Sequence, residues 1–368
     1  MKRFGVMILA ASLWACGSSE VAQEPEPRTT TPPVADVGNV AVKKLATGKI
    51  GLEVIPRNYE NTTERWADSF ERARTAGVQV VTLLAPAIHE WRDSEIIFAT
   101  LKEKGYSFEM SYDVGGALWH SRDDIKTPGL EFKGYSDPGF RQWYLDHFTK
   151  FAETLADKLT YLTFHAEGAD GYFDKYPKEL PDYAAVMAEA ARRAKARNPA
   201  LKVGVYVAHH VDDKIIQALN GTTDFWPIGV SGGDHDTLQK PSDLEKVLER
   251  HIRLAGTKKI AVQEGAWSTS RRAGHSEEQQ AEFVREVFRL LRKHRDRVEY
   301  FSFYVIYDES REITAGYINA AFPWYPRFFK DKIIDDLTSM GFLRNDGTPK
   351  LAWFELKKQI KEYYASSK

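Results

Sequence analysis

Short apolar runs alternate with amphipathic helical stretches along most of this chain, and this alternation is the feature that most limits its fold. The apolar runs have the length and the near-continuous hydrophobicity of strands that are buried on both faces of a parallel sheet. Eight such runs occur, at residues 49–55, 78–84, 106–113, 159–165, 201–207, 225–231, 259–263 and 298–306. Helix candidates lie at 62–76, 93–104, 137–157, 182–197, 211–219, 241–255, 276–296 and 351–364.

Eight strand–helix units predict an α/β protein in which the parallel sheet closes on itself, a single-domain (β/α)8 TIM barrel. The main alternative is a doubly wound open sheet, which usually carries a Gly-rich phosphate-binding turn after an early strand. The residues that follow the first apolar run, Val54-Ile55-Pro56-Arg57-Asn58, do not form such a turn. In a barrel, functional side chains gather where the strands end, so the strand ends are the first place to search.

Charge and cysteine content exclude several other classes of protein. The 368 residues include 51 basic and 52 acidic side chains, and the formal net charge is −1. A chain so nearly balanced, without a local basic patch, is not expected to bind nucleic acid. The single cysteine, Cys16, rules out an internal disulfide.

The N-terminus carries a short export signal. Met1-Lys2-Arg3 is positively charged, residues 4–14 are apolar but too few to span a membrane, and Leu13-Trp14-Ala15-Cys16 follows. This series resembles the lipobox of bacterial lipoproteins, although Trp14 stands where a small or hydroxyl-bearing residue is usual. The resemblance implies cleavage before Cys16 and attachment of diacylglycerol to its thiol. An ordinary cleaved signal with a free cysteine is the alternative, and it also exports the protein.

Three regions follow from these observations. We expect a lipoprotein signal peptide at residues 1–15, a lipidated Cys16 with a flexible Pro/Thr/Glu-rich tether at 16–45, and an enzyme-sized (β/α)8 barrel at 46–368. The expected location is the bacterial cell envelope, with the barrel held on a membrane by its lipid and facing the periplasm or the exterior. Gly17 after the cysteine slightly favours the outer membrane.

Two glutamates at predicted strand ends indicate a reaction type. Glu167 follows the fourth strand and Glu264 follows the seventh. Opposed carboxylates across a barrel mouth can act as acid/base and nucleophile on a glycosidic bond, and a separation of about 5 Å leads to retention of anomeric configuration. This chemistry requires no cofactor and no metal, and its partner is a carbohydrate substrate.

The segments around these glutamates resemble a known group of enzymes, the retaining glycoside hydrolases with (β/α)8 barrels. Within that group the likeness is to the arabinogalactan endo-β-1,4-galactanases and related glycosidases. It rests on segments 161–168 (YLTFHAEG), 224–231 (DFWPIGVS), 260–267 (IAVQEGAW) and 341–353 (GFLRNDGTPKLAW). The resemblance implies that Glu167 is the acid/base and Glu264 the nucleophile.

Two positions depart from the pattern of that group. The Asn that normally precedes the acid/base and binds the sugar 2-hydroxyl is replaced by Ala166. The Tyr that normally follows strand six and donates a hydrogen bond to the nucleophile is absent, since the chain reads Ser231-Gly232-Gly233 there. These departures leave catalysis itself open, because hydrogen bonds to the 2-hydroxyl strengthen in the transition state.

Other residues at strand ends and in the longer loops are candidate substrate contacts. Polar side chains there can bind sugar hydroxyls, and aromatic rings can stack on the apolar faces of sugars. Because it comes just after the candidate nucleophile Glu264, Trp267 is the best candidate for a stacking platform. The full set is Glu53, Asp113, Trp119, His165, Tyr172, His209, His235, Trp267 and Tyr304.

Two functions of other classes remain open. A metal-dependent barrel hydrolase or isomerase would draw its ligands from imidazoles and carboxylates. The candidates for such ligands are His89, His165, His209, Glu167, Glu264 and Asp308. Against this reading, the first strand lacks the His-x-His pair of the common metallohydrolase barrels. A non-catalytic glycan-binding barrel would keep the scaffold after loss of the Asn and the Tyr.

Overall fold

A closed parallel barrel forms the body of the protein. The computed structural model describes residues 35–85, 94–114, 129–232, 238–321 and 326–367. Within these ranges eight parallel strands follow one another in order, and pairing between the first and the last closes the sheet. The strands are β1 (Lys49–Glu53), β2 (Val80–Ala85), β3 (Glu109–Val114), β4 (Tyr161–His165), β5 (Lys202–Ala208), β6 (Trp226–Gly232), β7 (Ile260–Trp267) and β8 (Val298–Phe303). The prediction of a single-domain (β/α)8 barrel is confirmed.

Helices surround the barrel and begin at the caps that the sequence indicates. The side chains of Thr62, Asp137 and Ser276 each accept a hydrogen bond from a backbone N–H in the first turn of the helix that follows. The described helices are α1 (Thr63–Ala76), α2 (Ser94–Lys104), α3 (Pro138–Leu155), α4 (Ala169–Lys175), α5 (Leu180–Arg197), α6 (Asp213–Leu219), α7 (Leu244–Leu254), α8 (Glu277–His294), α9 (Arg311–Ala321), α10 (Arg327–Leu337) and α11 (Leu351–Ser366).

Three of these helices, α4, α9 and α10, lie in segments for which the sequence predicts no helix. Helix α4 has seven residues, too few to show a helical period. Helices α9 and α10 bury Ile318, Ile333 and Ile334 in a small cluster separate from the main core, and prolines interrupt the sequence between them. A short apolar stripe divided in this way is not recognisable from the sequence.

Polar side chains line the interior of the barrel. At the N-terminal end, Lys49 Nζ lies 2.6 Å from both Glu109 Oε2 and Tyr161 OH. Farther up, Thr82 Oγ1 donates to Ser302 Oγ at 2.9 Å. These pairs join strands that are not neighbours in the sheet, so they cross the interior. Barrels of this type usually fill the interior with branched apolar residues, and here hydrogen bonds replace part of that packing.

The apolar core lies between the strands and the helices. Residues such as Leu52 on β1, Val205 on β5 and Val262 on β7 are fully buried and belong to one cluster with Val284 and Phe288 of α8. The strands therefore present apolar side chains outward to the helices and polar ones inward. Charged side chains can therefore occupy the interior-facing positions at the C-terminal ends of the strands.

Residues before the barrel pack on its N-terminal end. Val40 N donates to Thr75 O at 2.8 Å, and the Gln79 side chain makes two hydrogen bonds to the backbone of Leu45. Asp36 forms an ion pair with Lys357 of α11 at 2.6 Å. These contacts attach residues 36–45, which the sequence assigns to the tether, to the barrel. A search of the described helices finds none with the length and apolar character needed to cross a membrane.

Barrel closure leads to a prediction about two glycines. A Cβ added at Gly51 would lie 2.8 Å from Ser302 Cβ, whereas Gly316 in α9 has nothing within 4 Å of that position. Gly51→Ala should therefore lower the free energy of unfolding by about 1–3 kcal/mol. Gly316→Ala should raise it by roughly 0.5–1 kcal/mol, because alanine favours helix. Urea unfolding of both variants measures these changes. Equal stability of the two variants would contradict the close approach of β1 and β8.

Candidate active site

The C-terminal ends of the strands bring ionisable side chains to one end of the barrel. The strands place them there because residues facing the interior alternate along each strand, and parallel strands all end on the same side. The side chains that meet are Glu53 of β1, Asp113 of β3, His165 of β4, Glu167 just after β4, Tyr206 of β5, and Gln263 and Glu264 of β7.

Asp113 is hydrogen-bonded to two other residues of this group. Its Oδ2 lies 2.8 Å from His165 Nδ1 and accepts a second hydrogen bond from Gln263 Nε2, also at 2.8 Å. The ring of His165 stacks on that of Tyr206, with centroids 4.8 Å apart and planes inclined by 28°. Asp113 is fully buried, so these contacts are shielded from water. They determine the orientation of the imidazole.

His165 extends from Asp113 toward Glu167. Its Nε2 lies 3.5 Å from Glu167 Oε2. Although burial by itself lowers the pKa of His165, the charge of Asp113 and the hydrogen bonds to Asp113 and Glu167 outweigh it and raise this pKa well above 6.5. A protonated imidazole therefore stands between the two carboxylates at neutral pH.

A β-bulge in β7 determines where Glu264 points. Ile228 pairs with Val262, but the next residue, Gly229, pairs with Glu264, so the register shifts at Gln263. Two consecutive residues of β7 consequently make contacts inside the barrel: Gln263 reaches Asp113, and Glu264 Oε2 accepts a hydrogen bond from Tyr206 OH at 2.7 Å. The Tyr206 hydroxyl fits only because Gly229 has no side chain there.

The electrostatics of Glu264 follow from its burial. Loss of hydration, and then the negative charge of Glu167, raise the pKa of Glu264 to about 8. The positive charge of His165 and the hydrogen bond from Tyr206 act in the opposite direction. Since the charge of Glu167 acts on Glu264, the two glutamates from β4 and β7 belong to one electrostatic site.

A second acidic group adjoins this site. Glu53 is 1% exposed, and its Oε2 has no hydrogen-bond partner among the described residues. Burial, and then the charges of Glu264 and Glu309, raise the pKa of Glu53 well above 4.5. Glu309, which follows β8, accepts hydrogen bonds from Tyr304 OH at 2.5 Å and from Thr314 Oγ1 at 2.9 Å. The charges of the candidate nucleophile and of this hydrogen-bonded carboxylate thus both act on Glu53.

Two aromatic candidates are part of the core. Tyr172 is fully buried, and its hydroxyl donates to Glu179 Oε2 at 2.6 Å. Trp267 is 1% exposed and packs on Phe283 of α8, with ring centroids 5.6 Å apart. Gly232 on β6 leaves room for this indole, since a side chain there would clash with it. The structure therefore places the expected stacking platform inside the fold, with its ring faces against protein.

The remaining candidates divide between the site and its surroundings. Tyr304 is 1% exposed and is bonded to Glu309. The backbone carbonyl of His209 lies 2.8 Å from His251 Nε2, and its ring meets that of His210 edge to face. Asp308 Oδ1 is paired with Lys350 Nζ at 2.6 Å. His89, Trp119 and His235 lie outside the described residues.

Sequence reasoning misses three residues of the site, namely Tyr206, Gln263 and Glu309. The resemblance implies a hydrogen bond to Glu264 from a Tyr after strand six, which this chain lacks. In the structure Tyr206 of β5 donates that hydrogen bond instead. Alternation along β5 places Gly204 and Tyr206 on one face, which is the signal that could have identified Tyr206. Gln263 has no such signal, because the bulge reverses the alternation of β7.

Comparisons with known proteins agree with the barrel. Neither the protein-family models nor the curated proteins include a match to this chain. Solved structures do match. The catalytic core of xylanase A shares 12% identity over 85% of this chain and 98% of its own, with a TM-score of 0.57. A GH5_18 protein from Streptomyces cattleya, crystallised with GlcNAc, shares 11% identity over 88% of this chain and 82% of its own, with a TM-score of 0.60. A psychrophilic family 10 endo-β-1,4-xylanase shares 16% identity over 84% of this chain and 96% of its own, with a TM-score of 0.54. At these identities the likeness shows a common fold, and the structural neighbours of this chain are glycoside hydrolases.

Proposed function

We propose that this protein is a glycoside hydrolase that cleaves a glycosidic bond in an oligo- or polysaccharide by a retaining two-carboxylate mechanism. The observation that carries the proposal is that the carboxyl groups of Glu167, just after β4, and Glu264, in β7, both lie near the imidazole of His165, the first at 3.5 Å and the second within 4.8 Å. A pair of carboxyl groups at a barrel mouth is the minimum machinery for this reaction. The presence of glycoside hydrolases among the structural neighbours supports the same conclusion.

Glu264 acts as the nucleophile. Its ionised carboxylate attacks the anomeric carbon, forms a covalent glycosyl intermediate, and is released when water attacks that intermediate. Tyr206 donates a hydrogen bond to the carboxylate at 2.7 Å and so orients it and stabilises its charged form. Positive charge that develops on the sugar in the transition state stabilises the carboxylate further.

Glu167 acts as the acid/base. It protonates the leaving oxygen in the first step and removes a proton from water in the second. His165 is a positioning residue, because Asp113 holds its ring and its Nε2 lies 3.5 Å from Glu167 Oε2. The protonated imidazole orients this carboxyl group and places a proton beside it.

One observation favours a second candidate, a metal-dependent hydrolase or isomerase. Ligand atoms of Asp113, His165 and Glu264 all lie within 4.8 Å of one another, a spacing that one metal ion could bridge. In the present geometry each of these residues already has a hydrogen-bond partner within the site. Metal analysis of the purified protein, with activity measured before and after chelation, distinguishes this candidate from the two-carboxylate mechanism.

We further propose that the protein is exported and anchored through Cys16. The support is the order of charged, apolar and Leu-Trp-Ala-Cys segments at the N-terminus. A lipid on Cys16, followed by the Pro- and Thr-rich segment, would hold the barrel close to a membrane of the cell envelope while leaving its mouth open to a carbohydrate substrate.

Alanine variants test the roles of the two glutamates. Glu264→Ala should lower kcat/KM at least about a thousandfold on every substrate, because no covalent intermediate can form. Glu167→Ala should lower it about 10²–10⁴-fold on saccharides but far less on dinitrophenyl glycosides, whose leaving group needs no proton. Steady-state kinetics on both substrate types measure this difference. The exposed Glu362→Ala serves as control, and wild-type rates in both active-site variants would refute the assignment.

The pH profile tests the hydrogen bond from Tyr206. Because Glu264 must be ionised to attack, kcat/KM should increase as pH rises toward about 8, the pKa of this carboxyl group. The hydrogen bond from Tyr206 lowers that pKa, so Tyr206→Phe should shift the acidic limb to higher pH. Tyr183→Phe is the matched control, since it removes a buried hydroxyl that has no partner among the described residues. An acidic limb that stays in place in Tyr206→Phe would contradict this role.

Fractionation tests the anchor. Cys16→Ser removes the thiol that would carry the lipid, so the variant should move from the membrane fraction to the soluble fraction of expressing bacteria. Immunoblotting of the separated fractions gives the distribution. Unchanged membrane association of the variant would show that the attachment lies elsewhere.

A further inference from the structure

Among the described residues, the charges at the C-terminal end of the barrel are mostly negative. Within that part of the chain, the groups that act most strongly on Glu53 and Glu264 include the carboxylates Asp113, Glu167 and Glu309, and the only cation among them is His165. The two-carboxylate mechanism uses Glu167 and Glu264. The carboxylates of Glu53, Asp113 and Glu309 are additional, and their mutual repulsion in a buried site raises its free energy unless a positive charge is present.

Two carboxylate oxygens in this group are buried without a partner. Glu53 Oε2 and Asp113 Oδ1 are both inaccessible to water and have no hydrogen bond within the described part of the chain. Leaving such an acceptor unsatisfied is unfavourable, and more so when it is charged. A ligand with several N–H donors and a positive charge would remove this cost for the oxygens that it reaches.

We propose that the site takes a 2-amino-2-deoxy sugar with a free amino group, whose ammonium ion binds Glu53 beside Glu264. The inference rests on the proposed glycosidase function and adds its substrate class. Glu53 is buried at the end of β1. Its neighbour Leu52 and the neighbour of Glu264, Gly265, both pair with Phe303 of β8, so the two glutamates lie at the same level on either side of that strand. A sugar whose anomeric carbon meets Glu264 therefore brings its neighbouring C2 substituent close to this additional carboxylate.

An ammonium group suits the unpartnered oxygen of Glu53 better than a metal ion does. The ligand atoms that converge belong to Asp113, His165 and Glu264, and Glu53 is not among them. A metal ion needs three or more convergent ligands, whereas an ammonium group attached to carbon has three hydrogens and is satisfied by two or three acceptors. The unpartnered oxygen of Glu53 can accept one of these hydrogen bonds without disturbing the Asp113–His165 pair.

The reaction itself gives a reason for the additional carboxylates. An ammonium group on C2 lies next to the anomeric carbon, and its positive charge opposes the positive charge that develops there in the transition state. Carboxylates placed near both positions offset this repulsion, most effectively in a water-poor site. A hydroxyl group or an N-acetyl group at C2 carries no such charge, so sugars with those substituents can gain a neutral hydrogen bond from Glu53 but no ion pair.

Binding measurements separate this inference from the proposed function. The Glu264→Gln variant of the full chain, which cannot form the covalent intermediate, is titrated in a calorimeter with chitosan tetrasaccharide, chitin tetrasaccharide and cellotetraose. These probes share a β-1,4-linked gluco backbone and differ only at C2. We expect chitosan tetrasaccharide to bind at least about tenfold more tightly than either neutral probe. The preference should disappear at a pH at which the sugar amine is uncharged.

A second variant tests the role of Glu53. Adding Glu53→Gln to Glu264→Gln should reduce the preference for the amino sugar to near unity. Glu109→Gln, which removes the same charge at the N-terminal end of the barrel, is the matched control and should retain the preference. Circular dichroism and melting curves establish that each variant is folded. If Glu53→Gln does not fold, the loss of preference with rising pH in the Glu264→Gln variant provides the test.

The possible results have distinct meanings. Equal binding of the three probes would overturn the inference and leave the glycosidase proposal intact. A preference that survives in folded Glu53→Gln would overturn the assignment to Glu53. Failure of chitosan tetrasaccharide to bind would also overturn the inference. If, in addition, the wild-type protein cleaves no glycoside in a broad screen, the proposed function itself fails.

Discussion

Hydrogen bonds that cross the interior of the barrel hold the strand ends in the arrangement that the candidate site requires. Asp113 connects β3 to β4 through His165 and to β7 through Gln263. Tyr206 connects β5 to β7 through Glu264. Deeper in the barrel, further polar pairs join strands that are not adjacent. Side chains that are hydrogen-bonded in a low-dielectric interior resist displacement, because a displacement breaks a hydrogen bond that no water replaces.

Burial changes the pKa values of the side chains at the C-terminal end of the barrel as well as restricting their movement. In water two carboxyl groups would both be ionised at neutral pH, but here burial and mutual repulsion raise the pKa of Glu264 to about 8 and that of Glu53 well above 4.5. The pKa of His165 is raised as well, but here the cause is the charge of the neighbouring carboxylates, which outweighs the effect of burial. The free protein thus holds protons on groups that must release or pass them during a reaction. A substrate that brings positive charge into the site favours the ionised carboxylates and so prepares Glu264 for attack.

Much of this architecture follows from local patterns in the sequence. The eight strands and most helices were predicted within a few residues, because apolar runs and capping residues depend on neighbours in the chain. The position of Glu167 just after strand four followed from the same reading, whereas Glu264 lies inside β7, which extends to Trp267. Helices α4, α9 and α10 were missed, since each is short or divided by proline-containing segments. The burial of Tyr172 and Trp267 was also missed, because an aromatic residue near a strand end can face either solvent or a helix, and only packing decides between them.

The sequence by itself determined the number and order of the elements, the closure that eight such units favour, and the two acidic residues near the ends of strands four and seven. Only the tertiary structure decided which side chains meet across the barrel. The bulge at Gln263 brings two consecutive residues of β7 to the interior, and Gly229 on β6 makes room for the tyrosine of β5 that binds Glu264. The physical reason is that alternation along a strand reports which face a residue occupies. The partner on that face comes from a distant strand, and its identity depends on register, on local bulges and on the space that a neighbouring glycine leaves.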